Sequence, residues 1–373
     1  MLDCLLVSPY HTGSHAAWAN GFCDRSQHRI TLLSMAGRFW KWRMQGGALE
    51  LAQQMIRHCE KHGKPDCLLV TDMTNLPALL ALSRPYLDGV PTLFYAHENQ
   101  LTYPTPPGEK RDLTYAAINV LSMVAAEAIA FNSSYHRSEF FDELPRLLKH
   151  FPDYTHLGVI PRLQEKSTVL PVGLDLHRFD HYPAPSQSST THRSLRILWN
   201  QRWEYDKNPA EFFQALYVLA DTDVSFDVVV AGENFRQQPA EFAEARSRLG
   251  DRIVHFGYAE TVEAYSRLLL GSDVVVSTAH HEFFGISILE AMYCNCYPLL
   301  PHRLSYPELI PPHLHEQHLY RDIDDLCDRL VWMARNCQHI RSHSLREIAQ
   351  QYEWQAIVSC YDSALARLAA GSL

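Results

Sequence analysis

The sequence predicts two doubly wound α/β domains that face a central cleft, and three observations lead to this fold class. Short apolar runs alternate with amphipathic stretches, the pattern of parallel strands separated by covering helices. The alternation stops at a polar stretch rich in Pro and Ser, residues 182–194, and then restarts, as expected of a linker. The length of 373 residues also fits two domains better than one.

The element order follows from these apolar runs. Strands are predicted at residues 2–8, 29–34, 66–71, 92–97, 128–132, 168–170, 195–200, 225–231, 252–256, 273–277 and 296–300. The first domain then covers residues 1–176 and the second covers 195–350. Residues 351–373 read as an amphipathic helix with no strand after it, and we expect this helix to pack back on the first domain.

Composition and charge exclude several classes of protein. With 46% hydrophobic and 20% charged residues, the chain is too apolar for disorder, and no window offers the roughly 20 apolar residues of a membrane span. No signal peptide is recognisable at the start, so we expect a cytoplasmic protein with reduced cysteines. Lys and Arg number 33 against 42 Asp and Glu, a net charge of −9. Any polyanion must therefore be bound by a local basic patch.

The most informative stretch runs from His280 to Met292 and follows the predicted strand 273–277. It places Glu282 in a loop, residues 284–286 at a helix start and Glu290 about one turn into that helix. Free N–H groups at a helix start suit a phosphate or sugar hydroxyls. If the whole stretch were helical, the two carboxylates would be about 12 Å apart, more than paired glycosidase carboxylates use. The alternative is an ordinary loop whose glutamates cap or solvate a helix.

A second group of candidate residues follows the strand 195–200. Arg202 and Lys207 lie in one loop before a helix that Pro209 can start. A guanidinium fork and an ammonium point charge are suited to a pyrophosphate leaving group, which gains charge as its bond breaks. The alternative is a pair of solvated surface cations, and the presence of the Glu282–Glu290 motif in the same domain weighs against it.

Two sites in the first domain are weaker on their own. Gly13 and Ser14 follow the first strand in a tight loop that a phosphate could approach, although it is neither a Walker nor a dinucleotide loop. His97 ends the strand 92–97, where a buried parallel strand presents catalytic groups. The polar residues Glu98, Asn99 and Gln100 follow it.

A cluster of three cations and three aromatic residues spans residues 38–43, Arg-Phe-Trp-Lys-Trp-Arg. Such interleaving suits an unpaired nucleic-acid loop, because aromatic and guanidinium planes stack on bases while the charges meet phosphates. The alternative is that the aromatic rings pack in the core and the cations are solvated. Two D-x-D sequences, 221–223 and 322–324, do not follow a buried strand as a metal motif should. We therefore predict no metal and no cofactor.

The residues resemble a known family. Arg202 with Lys207, the turn around Gly232, residues 255–257, the Glu282–Glu290 motif and Pro307-Glu308 are similar, in this order, to the retaining GT-B glycosyltransferases. More narrowly, residues 13–15, 39–43, 97–100, 131–133 and 281–298 resemble the tRNA-queuosine α-mannosyltransferases. The resemblance covers most of the chain. Lys41 stands where the vertebrate-type pattern has His.

The resemblance implies a GT-B fold with an N-terminal acceptor-side domain and a C-terminal sugar-nucleotide-binding domain. It implies transfer of mannose from GDP-mannose to the cyclopentenediol of queuosine in the anticodon of a tRNA for aspartate. The partners would be that tRNA and the nucleotide sugar, with no membrane. The resemblance assigns catalysis to His97, Glu282, Arg202 and Lys207.

The donor and acceptor sets implied by the resemblance are larger. Donor-binding candidates are Gly13, Ser14, Arg202, Lys207, Gly232, Glu282, Phe284, Gly285, Ile286 and Glu290. Acceptor-binding candidates are Arg38, Trp40, Lys41, Trp42, Arg43, Glu98, Asn99 and Gln100. Two other functions stay open at this stage. One is a GT-B transferase for a lipid or polysaccharide acceptor, and the other is a protein that binds tRNA or nucleotide sugar without turnover.

Overall fold

The structure, a computed structural model, describes residues 1–105, 108, 110–150, 152–183, 194–233 and 240–372. These residues form two compact units, Met1–Asp175 with Trp354–Leu373 and Leu176–Glu353. Residues 184–193 of the predicted linker lie outside the described residues. The second unit begins before that stretch, at Leu176, and the backbone N–H of this residue donates to Glu353 of the same unit at 2.5 Å.

The strands and helices alternate as the sequence predicts. The strands are Asp3–His11 (β1), Arg29–Ala36 (β2), Cys67–Thr71 (β3), Thr92–Ala96 (β4), Ala128–Phe131 (β5), Ser167–Val169 (β6), Leu195–Trp199 (β7), Phe226–Ala231 (β8), Ile253–Gly257 (β9), Val274–Val276 (β10), Tyr297–Pro301 (β11) and Leu319–Tyr320 (β12). The helices are Gly13–Arg25 (α1), Trp40–His62 (α2), Leu76–Leu82 (α3), Arg84–Leu87 (α4), Leu113–Ala125 (α5), Ser134–Leu148 (α6), Val159–Glu165 (α7), Pro209–Ala220 (α8), Glu241–Leu249 (α9), Val262–Leu270 (α10), Ile286–Tyr293 (α11), Tyr306–Leu309 (α12), His315–His318 (α13), Ile323–Arg335 (α14), Cys337–Ser342 (α15), Arg346–Gln350 (α16) and Trp354–Ala369 (α17). Among the described residues, no helix is long and apolar enough to cross a membrane.

The first unit is built on a parallel sheet with the order β2-β1-β3-β4-β5-β6. Every residue of β3, β4 and β5 is buried, as expected of strands covered by helices on both faces. The order reverses between β1 and β3, and open sheets bind ligands beside the carboxyl ends of the strands at such a reversal. Gly13, at the start of α1, and Asp72, directly after β3, follow these two strands.

The second unit is built on another parallel sheet, with the order β12-β11-β10-β7-β8-β9. This order reverses between β7 and β10, so the loops after these two strands are the expected ligand-binding loops. The first loop carries Arg202 and Lys207, and the second carries Glu282. The topology therefore places the two strongest sequence motifs at one edge of one sheet.

The terminal helix α17 belongs to the first unit. Its first residue, Trp354, is fully buried, and the chain makes room for this indole with two glycines. A Cβ atom on Gly21 would lie 2.1 Å from the Trp354 ring, and one on Gly173 would lie 2.4 Å from it. Further along the helix, the hydroxyl of Tyr361 accepts a hydrogen bond from Trp18 Nε1 at 3.0 Å. These contacts make α17 part of the core of the first unit.

Candidate active site

Lys207 lies at the end of the loop that follows β7. Its ammonium group donates to the backbone oxygen of His281 at 2.8 Å, and it lies 3.3 Å from Asp206 Oδ2 and 3.4 Å from Glu282 Oε2. The Lys207 side chain is only 8% exposed. The fold thus brings together a cation and a carboxylate that are 75 residues apart in sequence. Both had been singled out as donor-site residues.

Arg202, the other cation of this loop, remains partly exposed. Its guanidinium lies 3.2 Å from Glu204 Oε2, and 45% of its side chain is accessible to solvent. Burial raises the pKa of Glu204, and the charge of Arg202 opposes that rise. A guanidinium fork in this position can bind phosphate oxygens when it is released from Glu204.

Glu282 lies in the loop after β10, just before helix α11. Its Oε1 accepts a hydrogen bond from the backbone N–H of Phe284 at 3.3 Å. Burial by itself would raise the pKa of Glu282, but the positive charge of Lys207 and the Phe284 N–H outweigh burial, so the pKa lies below its ordinary value. The group is therefore an ionised carboxylate at neutral pH, which can accept hydrogen bonds from sugar hydroxyls.

Gly285 caps the start of α11 in a backbone conformation that other residues rarely adopt. Its φ is +106°, and an added Cβ would lie 2.8 Å from Leu309 Cδ1. The turn before the helix is also held by Ser305, whose hydroxyl donates to the backbone oxygens of Glu282 and Phe284, each at 3.2 Å. The first N–H groups of a helix have no partner within it. The backbone of residues 284–286, which is predicted to contact the donor, is thus held by Ser305 at a helix start.

Glu290 lies on α11 and is held by two side chains. Arg178 Nη2 lies 2.6 Å from its Oε1, and the hydroxyl of Tyr265 donates to its Oε2 at 2.9 Å. The amide of Asn200 in turn donates to the Tyr265 hydroxyl at 3.0 Å. Burial raises the pKa of Glu290, while Arg178 and Tyr265 oppose the rise. The side chain is 13% exposed.

Gly232 follows β8 and allows two loops to approach each other. An added Cβ would lie 1.8 Å from the backbone oxygen of Gln201, so any larger residue would displace the loop that contains Arg202. Gly232 therefore shapes the site through the backbone.

In the first unit, Gly13 begins helix α1 and is exposed, as is Ser14. The φ of Gly13 is +50°, and an added Cβ would meet no atom within 4 Å. An exposed glycine at the start of a helix lets a ligand approach the backbone N–H groups closely. This geometry is compatible with the predicted phosphate contact.

His97 directly follows β4 and is surrounded by aromatic rings. Its ring centre lies 4.5 Å from those of Trp18 and His15, and 4.7 Å from that of Tyr95. Its backbone N–H donates to Asp72 Oδ1 at 2.9 Å. Burial raises the pKa of Asp72 well above its ordinary value, and the nearby carboxylate of Glu98 adds to this rise.

The imidazole of His97 is neutral. Burial lowers its pKa well below the ordinary value, and the neighbouring His15 and His136 contribute to the same shift. Its Nε2 atom is buried and has no hydrogen-bond partner among the described residues. A neutral imidazole with such a nitrogen can exchange a hydrogen bond with a sugar hydroxyl.

The three residues after His97 do not behave alike. Asn99 is fully buried, and its Oδ1 accepts from the backbone N–H groups of Leu101 and Thr102 at 3.0 and 2.9 Å. Its amide group therefore holds the loop together and, in this conformation, does not offer the acceptor contact predicted for it. Gln100 is nearly buried and donates to Glu98 Oε1 at 2.8 Å. Of the three, Glu98 and Gln100 keep part of their surface accessible.

The aromatic and basic cluster at residues 38–43 lies where helix α2 begins. Phe39 and Trp42 are 77% and 57% exposed, and Phe39 has a φ of +53°. Arg38 and Lys41 are exposed as well. Trp40 instead packs at 5.0 Å from the ring of Tyr115, and Arg43, which is half-buried, donates to the backbone oxygen of Ala36 at the end of β2. The rings of Phe39 and Trp42 are thus available for stacking, whereas the ring of Trp40 packs against the protein.

Sequence reasoning missed several residues of the second unit. Arg178 and Tyr265 contact Glu290 but lie 112 and 25 residues from it in sequence, and neither belongs to a recognisable motif. No sequence pattern distinguishes Asp206, beside Lys207, from the other polar residues of its loop. Across the described ranges, no group of three or more His, Cys, Asp or Glu residues could hold a metal ion.

Comparison with known proteins identifies the fold and the family. Residues 3–174 match the family description "tRNA-queuosine alpha-mannosyltransferase N-terminal", and residues 186–319 match "Glycosyl transferases group 1". The tRNA-queuosine alpha-mannosyltransferase of Drosophila melanogaster is 32% identical over 337 residues, which are 89% of this chain and 86% of the relative. A GDP-mannose-dependent alpha-(1-6)-phosphatidylinositol dimannoside mannosyltransferase of Mycobacterium tuberculosis is 24% identical over 278 residues, which are 71% of this chain and 64% of the relative. Among solved structures, Anabaena HepE in complex with UDP and glucose superposes with a TM-score of 0.68 at 14% identity, over 100% of both chains.

The two doubly wound sheets, the motifs at their reversal points and these similarities define a GT-B glycosyltransferase. The chain is an enzyme of that class, which sets aside the non-catalytic alternative. More specifically, it belongs to the tRNA-queuosine alpha-mannosyltransferase family. The fold class and the family expected from the motifs are both confirmed.

Proposed function

We propose that this enzyme transfers mannose from GDP-mannose to the cyclopentenediol of queuosine in the anticodon of a tRNA for aspartate. The bond between the anomeric carbon and the β-phosphate oxygen breaks, and a bond from the same carbon to an acceptor hydroxyl oxygen forms with retention of configuration. GDP leaves, and the hydroxyl proton moves to the departing phosphate. The reaction would take place in the cytoplasm.

The donor roles follow from charge and geometry in the second unit. Arg202 and Lys207 would hold the pyrophosphate, because both cations follow β7 at the reversal of strand order. The carboxylate of Glu282 and the backbone of residues 284–286 would hold the hexose. Glu290 would accept hydrogen bonds from the ribose hydroxyls. Because two side-chain cations balance the growing negative charge on GDP, we propose that transfer continues in the presence of a metal chelator.

In the first unit, we assign His97 to the reacting sugar and the cluster at residues 38–43 to the tRNA. Exposed Trp42 and Phe39 support stacking on unpaired bases. Arg38 and Lys41 would meet phosphates. This local patch would let a chain with a net charge of −9 select one RNA while repelling others.

A single observation carries the proposal. Lys207 contacts Glu282 at the reversal of strand order in a chain that is 32% identical to a tRNA-queuosine alpha-mannosyltransferase. A buried cation beside an ionised carboxylate would supply contacts to a phosphate oxygen and to a sugar hydroxyl of a nucleotide-sugar donor.

The test is a transfer assay with matched acceptors and donors. The full chain is incubated with GDP-mannose and tRNA that either contains or lacks queuosine, and the nucleosides are analysed by mass spectrometry. We expect one hexose on queuosine and none on the tRNA without it. UDP-glucose and UDP-galactose in place of GDP-mannose test the donor. If GDP-mannose binds but the nucleoside mass stays unchanged, the proposed reaction is wrong.

Variants connect the reaction to the site. Arg202→Ala and Glu282→Gln should abolish transfer while tRNA binding, measured by filter retention, stays unchanged. Arg248→Ala is the matched control, because this arginine is half exposed and pairs with Glu244 on the surface of α9. Transfer by Arg202→Ala at the wild-type rate would show that the pyrophosphate site lies elsewhere.

The resemblance to a lipid mannosyltransferase leaves a second acceptor to be tested in the same assay. Vesicles that contain phosphatidylinositol mannosides replace tRNA, with radiolabelled GDP-mannose as donor. Mannose on the lipid together with unmodified tRNA would favour that alternative.

A further inference from the structure

Arg178 lies in a short segment that the second unit holds firmly at both ends. The segment His177–His181 forms a 3-10 turn. At its start, the backbone N–H of His177 donates to Glu353 at 3.1 Å, and at its end Asp180 accepts a hydrogen bond from the hydroxyl of Tyr293 at 2.8 Å. The backbone that carries Arg178 is therefore held in place.

The guanidinium of Arg178 is held on two sides. Its central carbon lies 4.8 Å from the ring centre of Phe179, a cation–π distance. Its Nη2 lies 2.6 Å from Glu290 Oε1, and 33% of the side chain is exposed. The hydroxyl of Tyr265 occupies the other carboxylate oxygen at 2.9 Å.

Each carboxylate oxygen accepts about two hydrogen bonds. Arg178 uses one position on Oε1 of Glu290, and Tyr265 uses one position on Oε2. One further position remains on each oxygen. Two adjacent acceptors suit the two hydroxyls of a vicinal diol such as ribose.

We propose that Arg178 is a positioning residue of the donor site, which keeps the Glu290 carboxylate ionised and oriented so that its two remaining acceptor positions bind the ribose hydroxyls. This inference rests on the proposed donor role of Glu290. Arg178 itself would not contact the reacting atoms. It would act through Glu290.

The surroundings of Glu290 explain why a cation is needed. Burial favours the protonated acid, and a protonated carboxyl group replaces one acceptor with a donor. Tyr265, on α10, is neutral because burial raises the pKa of its phenol. Cys294, which follows α11, is also neutral, since burial raises the pKa of its thiol to about 12. Among the described groups that face Glu290, Arg178 is thus the cation that pairs with it.

The experiment compares GDP binding to three variants of the full chain by isothermal titration calorimetry, between about pH 5.5 and 8.5. Each affinity is divided by that of the wild type at the same pH, which cancels the titration of GDP itself. Arg178→Met should weaken GDP binding at neutral pH. As the pH is raised and Glu290 loses its proton, the affinity relative to the wild type should recover by up to about tenfold per pH unit. Arg178→Lys should restore the wild-type pH profile to a large extent. Glu290→Gln should weaken binding across the range with no recovery.

Two outcomes overturn the inference. The first is an Arg178→Met variant whose affinity is unchanged or is reduced by the same factor at every pH, as a merely structural role would give. The second is a Glu290→Gln variant that binds GDP like the wild type. The transfer assay on queuosine-containing tRNA is read separately. If the pH recovery is observed but no hexose reaches tRNA, the acceptor assignment fails while the role of Arg178 stands.

Discussion

Replacing Lys207 with Met should destabilise the second unit strongly and in a pH-dependent way. The ammonium group balances Asp206 and Glu282, whose side chains are 3% and 19% exposed. The Lys207→Met side chain has a similar length but no charge. Two carboxylates then remain in the same poorly solvated place without their cation.

The expected magnitude follows from the burial of this group. Removing one partner of a buried ion pair costs about 3–5 kcal/mol, because the remaining charge stays desolvated. In the wild type, burial raises the pKa of Glu282, but Lys207 outweighs burial and holds the pKa below its ordinary value. This carboxylate therefore adds stability above its ordinary pKa, and the contribution is lost as the pH falls through the lower folded pKa.

In the variant, burial acts on Glu282 without the opposing cation, so its pKa should rise above the ordinary value. As the pH falls, protonation of Glu282 removes the unpaired negative charge from the poorly solvated site. The difference in unfolding free energy between variant and wild type should be about 3–5 kcal/mol at pH 7 and clearly smaller near about pH 5. Urea unfolding followed by tryptophan fluorescence measures it, since Trp199 and Trp203 are buried in the same unit.

Two controls make the test specific. Lys149→Met removes an exposed lysine and should change the unfolding free energy by less than about 0.5 kcal/mol. The double variant Lys207→Met with Glu282→Gln should recover part of the loss, because one unpaired charge is gone. A loss below about 1 kcal/mol, the size of a surface ion pair, or an equal loss at both pH values would refute this reasoning.

Three further predictions concern other parts of the molecule. Trp42→Ala should weaken binding of queuosine-containing tRNA by about tenfold and leave GDP affinity unchanged, because stacking on one base contributes about 1–3 kcal/mol. The control is Leu49→Ala, which alters an equally exposed residue of α2. Equal effects of the two variants in a tRNA titration would contradict the stacking role. Gly285→Ala should lower the unfolding free energy by about 1–3 kcal/mol and weaken GDP binding, because φ is +106° and the new Cβ would lie 2.8 Å from a leucine methyl. The control is Gly250→Ala, where φ is +51° and the surrounding space is open. This control should lower stability without altering GDP binding. His97 should titrate well below its ordinary pKa, since burial disfavours the imidazolium, and an NMR midpoint near the ordinary value of about 6.5 would show that the ring is solvated.

Much of the fold was accessible from the sequence because parallel strands are continuous apolar runs. Every predicted strand overlaps an observed one. The strand that escaped prediction, β12, is Leu319–Tyr320, only 2 residues long, too short to show a period. The second unit starts at Leu176, whose backbone N–H donates to Glu353 across 177 residues of sequence, a contact that no local pattern marks.

The candidate site was accessible only where local motifs exist. Arg202, Lys207 and Glu282 follow strands whose carboxyl ends are recognisable in the sequence, so their positions could be predicted. Arg178 reaches Glu290 across 112 residues, and no local pattern marks such a contact. Asn99 shows the opposite case. Its position after His97 suggested binding, whereas its burial and its hydrogen bonds to the loop backbone became visible only in three dimensions.

The placement of α17 affects the order in which the protein can be completed on the ribosome. The first unit lacks Trp354 and Tyr361 until residues 354–373 have been made, although its sheet is encoded by the first half of the chain. The second unit, residues 176–353, is synthesised in full before that helix. Domains usually mature from the N-terminus during translation. Here the unit that starts first is complete only after α17 has been synthesised, because Trp354 of that helix packs beside Gly21 and Gly173.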